Sequence, residues 1–245
     1  MIRSPEGLAL RLRANRDEVL ARVHSAARRA GRDPATVTLV AVTKSVSDAV
    51  ARALAGSGLR EFGESRVRAG AARKAALSDI EPRIRWHLVG HLQSNKARLA
   101  VEAFDVIHSV DSVPLAAAVD RAARSVSRIA NLLIQVNVSG ESVKTGFRPE
   151  ALPAAIDGVA AFPSVRVTGL MTMAPMSDDP EAARPHFRRL RELLVAERAR
   201  RPDLGLRELS MGMTQDFETA VEEGATMIRV GTALFRGLTP EAGEE

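Results

Sequence analysis

The alternation of apolar and polar positions divides the chain into one long amphipathic segment and a series of short apolar runs. In the first thirty residues the apolar side chains recur at spacings of four and seven, which places them on one face of a helix. They are Leu8, Leu12, Val19, Val23 and Ala27. The runs that follow span residues 37–43, 59–63, 85–90, 105–110, 131–138, 165–173, 207–212 and 226–231. Runs of this kind are typical of buried strands.

Segments rich in alanine, arginine, glutamate and leucine separate these runs and are predicted to be helices, most clearly at 112–128, 149–161 and 180–200. Short strands that alternate with helices pair in parallel through crossover connections. Eight such units without an obvious linker predict an α/β fold, a closed (β/α)8 barrel of the TIM type. We expect residues 1–245 to form a single domain, with residues 1–30 as an extra helix packed on the barrel. An open, doubly wound sheet is the alternative.

The composition narrows the classes of function. The 245 residues include no cysteine, which excludes disulfides, thiolate chemistry and cysteine metal ligands. The net charge is +5, yet the basic residues are scattered and aromatic residues make up only 3% of the chain. Stacking platforms for bases are therefore scarce, and no nucleic-acid partner is expected. No stretch resembles a signal peptide or a membrane span, so we expect a soluble, cytoplasmic protein with no membrane partner.

Lys44 directly follows the first apolar run. The chain has only four lysines, at positions 44, 74, 96 and 144, against 31 arginines. Arginine can replace the charge of lysine but cannot form an imine. A lysine at the rim of an apolar barrel can lose part of its solvation, which increases its neutral, nucleophilic fraction. The sequence thus favours a Lys44 amine that condenses with an aldehyde, and the alternative is a strand-end lysine that extends into solvent.

The loops after the last two runs have the features of a phosphate site. They read SMGMT (210–214) and RVGT (229–232). In barrels of this type the loops after strands seven and eight often bind phosphate. Gly212 and Gly231 allow a close approach of the backbone to an anion, and Ser210 and Thr232 offer hydroxyl donors. Helices that begin near Thr214 and after Thr232 would add a favourable dipole.

Arg229 is a further candidate for a residue that contacts a bound cofactor. Arg229 comes from the last strand and is either an exposed strand-end cation or a cation that faces the ring nitrogen of a bound pyridine cofactor. In the second case it disfavours protonation of that nitrogen and weakens the ring as an electron sink.

His87 and His91 share a predicted strand face and suggest a metal pair, but no third ligand lies at a suitable spacing. No metal site is therefore expected, although His91 could pack on a cofactor ring.

Eight sequence stretches, taken together, resemble one known family. They are LVAVTK (39–44), FGES (62–65), WHLVGHLQSNK (86–96), IHSVDS (107–112), QVNVSGESVKTGF (135–147), GLMTMAP (169–175), LSMGMTQDFETAV (209–221) and IRVGTALF (228–235). Through these stretches the chain resembles the pyridoxal phosphate homeostasis proteins. These proteins are relatives of the alanine racemase N-terminal domain, and the matching stretches run nearly from end to end.

The resemblance implies a barrel of the alanine racemase N-terminal type that holds pyridoxal 5′-phosphate (PLP) as an imine on Lys44. It implies that Arg229 lies near the ring nitrogen. The phosphate contacts that it implies come from Ser210, the Met211 backbone, Gly231 and Thr232. The family is regarded as PLP carriers in vitamin B6 homeostasis without established turnover. The implied role is non-catalytic, with apo PLP-dependent enzymes as partners.

Three positions bear on how far the resemblance extends. The family often has a second lysine where this chain has Val46, and usually has asparagine where this chain has Ser65, which puts a side-chain contact from that position in question. Lys144 matches a loop lysine of the family and could accept or pass on the aldehyde. The alternative for Lys144 is a solvated loop lysine.

Two competing functions stay open, a small PLP-dependent racemase or decarboxylase and a lysine-dependent aldolase without PLP. A racemase needs acid and base groups on both faces of the substrate α-carbon. The chain has no tyrosine to serve the second face, and few residues remain after the eighth unit. We therefore expect no second domain and a monomeric carrier.

Overall fold

Eight parallel strands form a closed barrel in the computed structural model, which describes residues 4–141 and 145–238. The strands are β1 (Thr38–Val42), β2 (Glu61–Glu64), β3 (Arg85–Leu88), β4 (Val106–Val110), β5 (Ala130–Gln135), β6 (Val165–Met171), β7 (Glu208–Ser210) and β8 (Met227–Val230). The α-helices in these ranges are α1 (Pro5–Arg29), α2 (Asp48–Gly56), α3 (Val67–Ala76), α4 (Ala97–Ala103), α5 (Val113–Ser125), α6 (Leu152–Ala160), α7 (Arg184–Arg200) and α8 (Phe217–Glu222).

The pairing of the first and last strands closes the barrel. β1 lies parallel to β8 in a register that runs from Thr38 opposite Met227 to Ala41 opposite Val230. The other strands pair with their neighbours in sequence order, as crossover helices require. The prediction of a TIM-type barrel is confirmed, and the open sheet is excluded.

Helix α1 packs outside the barrel along the predicted apolar face. Its first turn is capped by the Ser4 hydroxyl, which accepts a hydrogen bond from the Gly7 amide. Leu12 and Val19 are buried on the inner side. The Arg22 guanidinium pairs with Glu218 of α8 at 2.8 Å. The extra N-terminal helix is therefore fastened to the last helix of the barrel.

Apolar side chains fill the structure in two layers. The larger layer lies between the helices and the outer surface of the strands. Inside the barrel, the second layer is a group of five buried side chains, Val40, Val106, Leu133, Met171 and Met227. Folds of this type place their ligand sites in the loops at the carboxyl ends of the strands.

The helix predicted after Thr232 is wrong. Residues 232–237 form successive turns, in which the Phe235 amide donates to the Thr232 carbonyl and the Leu238 amide to the Phe235 carbonyl. Gly237 adopts a positive φ of 77°, which interrupts a right-handed helix. The other predicted helix, near Thr214, begins three residues later, at Phe217.

No helix in residues 4–141 and 145–238 has both the length and the apolar character that crossing a bilayer requires.

Candidate functional site

Lys44 lies at the rim of the barrel, two residues beyond the end of β1 and beside the loop that follows β8. A Cβ placed on Gly231 would come within 3.2 Å of the Val42 carbonyl oxygen, so the two loops touch through their backbones. The Lys44 side chain is exposed. The expectation that the barrel partly desolvates this lysine is therefore wrong, whereas its predicted position near the glycine loop agrees with the structure.

A guanidinium from the neighbouring helix holds the turn that carries Lys44. Arg73 of α3 donates to the carbonyl oxygens of Thr43 and Val46, which lie on either side of the lysine. Two carbonyls bonded to one rigid, planar group fix the backbone between them. The turn is thus positioned by a residue that sequence reasoning missed, because nothing in the sequence distinguishes Arg73 from the other arginines.

Two carboxylates complete the Arg73 contacts. Glu64, at the end of β2, is 1% exposed, and its Oε1 lies 2.6 Å from Arg73 Nη1. The same oxygen accepts a hydrogen bond of 2.5 Å from the Thr43 hydroxyl. Asp48, at the start of α2, lies 2.8 Å from Arg73 Nε. A buried carboxylate at a strand end requires a cation nearby, and this requirement is the signal by which Glu64 could have been found from the sequence.

The two glycines of the predicted phosphate loops have different roles. Gly212 has a φ of 90°, and a Cβ there would lie 2.5 Å from the Ala220 methyl, so this glycine allows α8 to pack against the barrel. Gly231 leads into Thr232, which is exposed. No described residue is hydrogen-bonded to the Thr232 hydroxyl or to the hydroxyl of Thr214, which leaves two donors at the rim.

The expected phosphate donors at Ser210 and Met211 are engaged elsewhere in the structure. The Met211 amide donates to the Met227 carbonyl at 3.1 Å, because β7 continues to pair with β8 beyond its last residue. The Ser210 hydroxyl is fully buried and lies 2.8 Å from His108 Nδ1. Gly231 and Thr232 are therefore the better placed half of the predicted phosphate set.

Arg229 is a buried cation and not an exposed strand-end residue. Its side chain donates to the Ser210 hydroxyl at 2.5 Å and to the Thr172 carbonyl at 2.8 Å. Burial lowers the pKa of Arg229 to about 10, while Asp216 acts in the opposite direction. The guanidinium therefore remains charged at neutral pH and offers only donors to a ligand.

The two histidines that were considered as a metal pair lie apart. His87 is fully buried in the barrel, where its ring bonds to His108 and Glu61. His91 is exposed at the rim and lies 3.4 Å from Asp111. Their predicted common face is therefore wrong, because the chain leaves β3 before His91. His108 was missed, although a histidine within the apolar run IHSV is itself a sign of a buried polar contact.

The buried His108 makes the stability of the protein depend on pH. Burial, together with His87 and Arg229, holds the pKa of His108 well below its usual value of 6.5. Below about pH 6.5 the unfolded state then binds more protons than the folded state, so the free energy of unfolding should fall as the pH decreases, by up to roughly 1.4 kcal/mol per pH unit. Urea unfolding at a series of pH values measures this slope.

Two variants identify the source of that slope. His108→Gln should reduce it, whereas His24→Gln, on the exposed side of α1, should leave it unchanged. Equal slopes for the wild type and His108→Gln would contradict the assignment to His108.

Comparisons with known proteins decide the family. The family described as "Alanine racemase, N-terminal domain" matches residues 15–240. The pyridoxal phosphate homeostasis proteins of Pseudomonas aeruginosa and Aquifex aeolicus are 43% and 41% identical, each over 89% of this chain and over 92% and 94% of their own length. The chain belongs to the pyridoxal phosphate homeostasis protein family. A solved structure of PipY from Synechococcus elongatus, described as having PLP bound, is 41% identical with a TM-score of 0.78 and covers 89% of this chain and 99% of that one.

Val46 and Ser65 contact neighbouring segments through their backbone carbonyl groups. Val46 contributes its carbonyl oxygen to Arg73. Ser65 packs through its backbone, since a Cβ on Gly90 would lie 2.2 Å from the Ser65 carbonyl oxygen. Lys144 lies outside the described residues.

Proposed function

We propose that this chain binds PLP at the rim of the barrel, as an imine on Lys44, and holds it in the cytoplasm for delivery to apo PLP-dependent enzymes. The observation that carries the proposal is the position of Lys44. The lysine lies two residues beyond the end of β1, where the Val42 backbone touches the Gly231 loop, so one small ligand could reach both. The structure of PipY with PLP bound, in a relative of almost the same length, supports this reading.

The residues present fit the cofactor. Gly231 provides a backbone surface without a side chain, and the Thr232 hydroxyl and amide are donors for a phosphate. Ser210 and the Met211 amide remain proposed phosphate contacts that would require their present hydrogen bonds to be exchanged. Arg229 would donate to the ring nitrogen and keep it unprotonated. The cofactor supplies an electron sink for amino-acid chemistry when bound, and an unprotonated ring nitrogen weakens that sink.

The acid and base groups that the chain offers favour a carrier over a racemase or decarboxylase. Racemisation requires a proton donor on the face of the substrate opposite Lys44. The chain contains no tyrosine for this purpose. We therefore propose that the protein binds PLP and lacks turnover of its own. We also expect it to be a monomer.

Delivery and catalysis give different results in one experiment. The purified protein is titrated with PLP, the visible absorbance is followed, and the loaded protein is freed of excess PLP by gel filtration. We expect equimolar PLP to stay bound, and the loaded protein to restore the activity of an apo PLP-dependent enzyme. Steady-state conversion of an amino acid by the loaded protein alone would support the enzyme instead. A protein that remains colourless with PLP would exclude both and favour the aldolase.

A further inference from the structure

A chain of four hydrogen bonds crosses the interior of the barrel and ends at Arg229. Glu61 Oε2 lies 2.5 Å from His87 Nε2, and His87 Nδ1 lies 2.8 Å from His108 Nε2. His108 Nδ1 lies 2.8 Å from the Ser210 hydroxyl, which lies 2.5 Å from Arg229 Nη1. These contacts connect residues from five different strands. We call these five side chains the interior relay.

The carboxylate at one end of the relay fixes the direction of its hydrogen bonds when both rings are neutral. Glu61 can only accept, so His87 carries its hydrogen on Nε2 and donates it to Glu61.

The same constraint passes on to the second ring. Because Nδ1 of His87 is then an acceptor, His108 donates from Nε2 and accepts at Nδ1 from the Ser210 hydroxyl, whose oxygen also accepts from Arg229. Both rings are neutral in this arrangement, and each ring nitrogen has one partner.

Burial makes this arrangement costly to change. His87, His108 and Ser210 are fully buried, and Arg229 is 5% exposed. A buried polar atom that loses its partner costs more than the bond itself contributes, so a change at one link affects the next. Protonation of His108 is disfavoured by burial and by its neighbours. Only Glu61, with 28% of its side chain exposed, reaches toward solvent.

The interior relay runs across the barrel, from β2 to β8. Glu61 precedes Phe62, which pairs with Ala41, and the neighbouring Val40 pairs with Arg229. The relay thus connects the partly exposed carboxylate of β2 with the buried guanidinium of β8.

We infer that Glu61, His87 and His108 are positioning residues for PLP, which act through Ser210 by fixing the orientation of the Arg229 guanidinium. The inference rests on the proposed function, since it concerns the group that faces the ring nitrogen. Two Arg229 donors are committed, one to Ser210 and one to the Thr172 carbonyl. With two bonds in different directions the plane of the guanidinium is set, and its remaining donors point in fixed directions.

The first test needs no cofactor. NMR of the protein labelled with nitrogen-15 in its histidines reports which ring nitrogen carries the hydrogen. We expect hydrogen on Nε2 of both His87 and His108, and a neutral His108 ring at pH 6.5, where a free histidine is about half protonated. A hydrogen on Nδ1 of His108, or a half-protonated His108 ring at that pH, would overturn the relay.

The second test alters the relay far from the ligand. His87→Phe keeps a ring but removes both nitrogens, His87→Gln restores one donor and one acceptor, and Glu61→Gln keeps an acceptor without the charge. The matched control is Glu192→Gln, which removes an exposed carboxylate on α7 that pairs with Arg189. The readouts are the dissociation constant for PLP and the pH profile of the visible absorbance band of the loaded protein.

The expected effects follow the severity of each change. PLP binding should weaken about tenfold in His87→Phe and about threefold in Glu61→Gln, as the loss of one buried hydrogen-bond partner implies, with His87→Gln closer to the wild type. The pH profile of the absorbance band should shift in the same order, because it reports the surroundings of the PLP ring. A general loss of protein stability would not change those surroundings. Glu192→Gln should match the wild type in both readouts.

Each failure has a distinct meaning. Unchanged affinity and pH profile in Glu61→Gln and His87→Phe would overturn the positioning role. If His87→Phe fails to fold, Glu61→Gln alone decides, because it keeps the hydrogen bond to His87. If the wild type shows the expected histidine tautomers but does not bind PLP, the proposed function is wrong, and the positioning role falls with it.

Discussion

Lys44→Ala should abolish the covalent labelling of this protein by PLP and borohydride. Lys44→Arg should do the same, because arginine keeps the positive charge but cannot form an imine. In the wild type, borohydride reduction followed by peptide mass analysis should locate the label on Lys44. The loss in both variants should be at least about tenfold, since a specific nucleophile is removed. Because the chain has only four lysines, every alternative site can be assigned.

Lys74 provides the matched control for this experiment. Burial lowers the pKa of Lys74, so a larger fraction of its amine is neutral and able to react. Its Nζ donates to the Ala103 carbonyl at 2.8 Å, on the outer helices and away from the rim. Lys74→Ala should therefore leave the labelling intact. A label found only on Lys144, or spread over several lysines, would reject the assignment to Lys44.

Arg73→Ala should lower the free energy of unfolding by about 3–5 kcal/mol, the cost typical of a buried carboxylate that loses its cation. The carboxylate is Glu64, which is 1% exposed. The variant should also weaken PLP binding, because the carbonyls of Thr43 and Val46 lose their common donor and the turn with Lys44 becomes free to move. Urea unfolding and a PLP titration measure the two effects.

Two further variants separate charge from packing at this position. Adding Glu64→Gln to Arg73→Ala removes the unpaired charge and should recover part of the lost stability, which a double-mutant cycle quantifies. Arg98→Ala removes an arginine that is 72% exposed and pairs with Glu102 along α4, and it should change stability little. Arg73→Ala and Arg98→Ala of equal stability would contradict the role given to the Arg73 contacts.

The barrel and its strands could be predicted because they depend on local periodicity. The helix predicted at 180–200 begins at Arg184, after a short 3-10 turn at Pro180–Ala183, and the strand predicted at 165–173 ends at Met171. Such small shifts arise because turns and strand ends depend on contacts from distant segments. The positions of Lys44 and of the glycine loops followed from the rule that strands end at one rim.

The partners of buried polar groups could not be predicted, because they are set by tertiary contacts. Ser210 was expected to face a ligand, yet it bonds to His108, which is 102 positions away in the sequence. Arg73 acts across helices, between residues that no local pattern connects. In contrast, Arg229 lies on the last strand as predicted, and its burial excludes the alternative of an exposed strand-end cation. Sequence patterns thus located the residues at the rim of the barrel, whereas the hydrogen bonds that hold these residues in place depend on tertiary contacts.

The side-chain amide of Asn15 in α1 donates to the carbonyl oxygens of Leu234 and Arg236, each at 3.0 Å. The segment just downstream of Thr232 is therefore tethered by the opposite terminus of the polypeptide. If the proposed phosphate site is correct, an affinity tag or truncation that disturbs α1 should weaken phosphate binding, even though α1 lies outside the barrel. Expression vectors for measuring vitamin B6 affinity should consequently leave the α1 end of the chain free of tags.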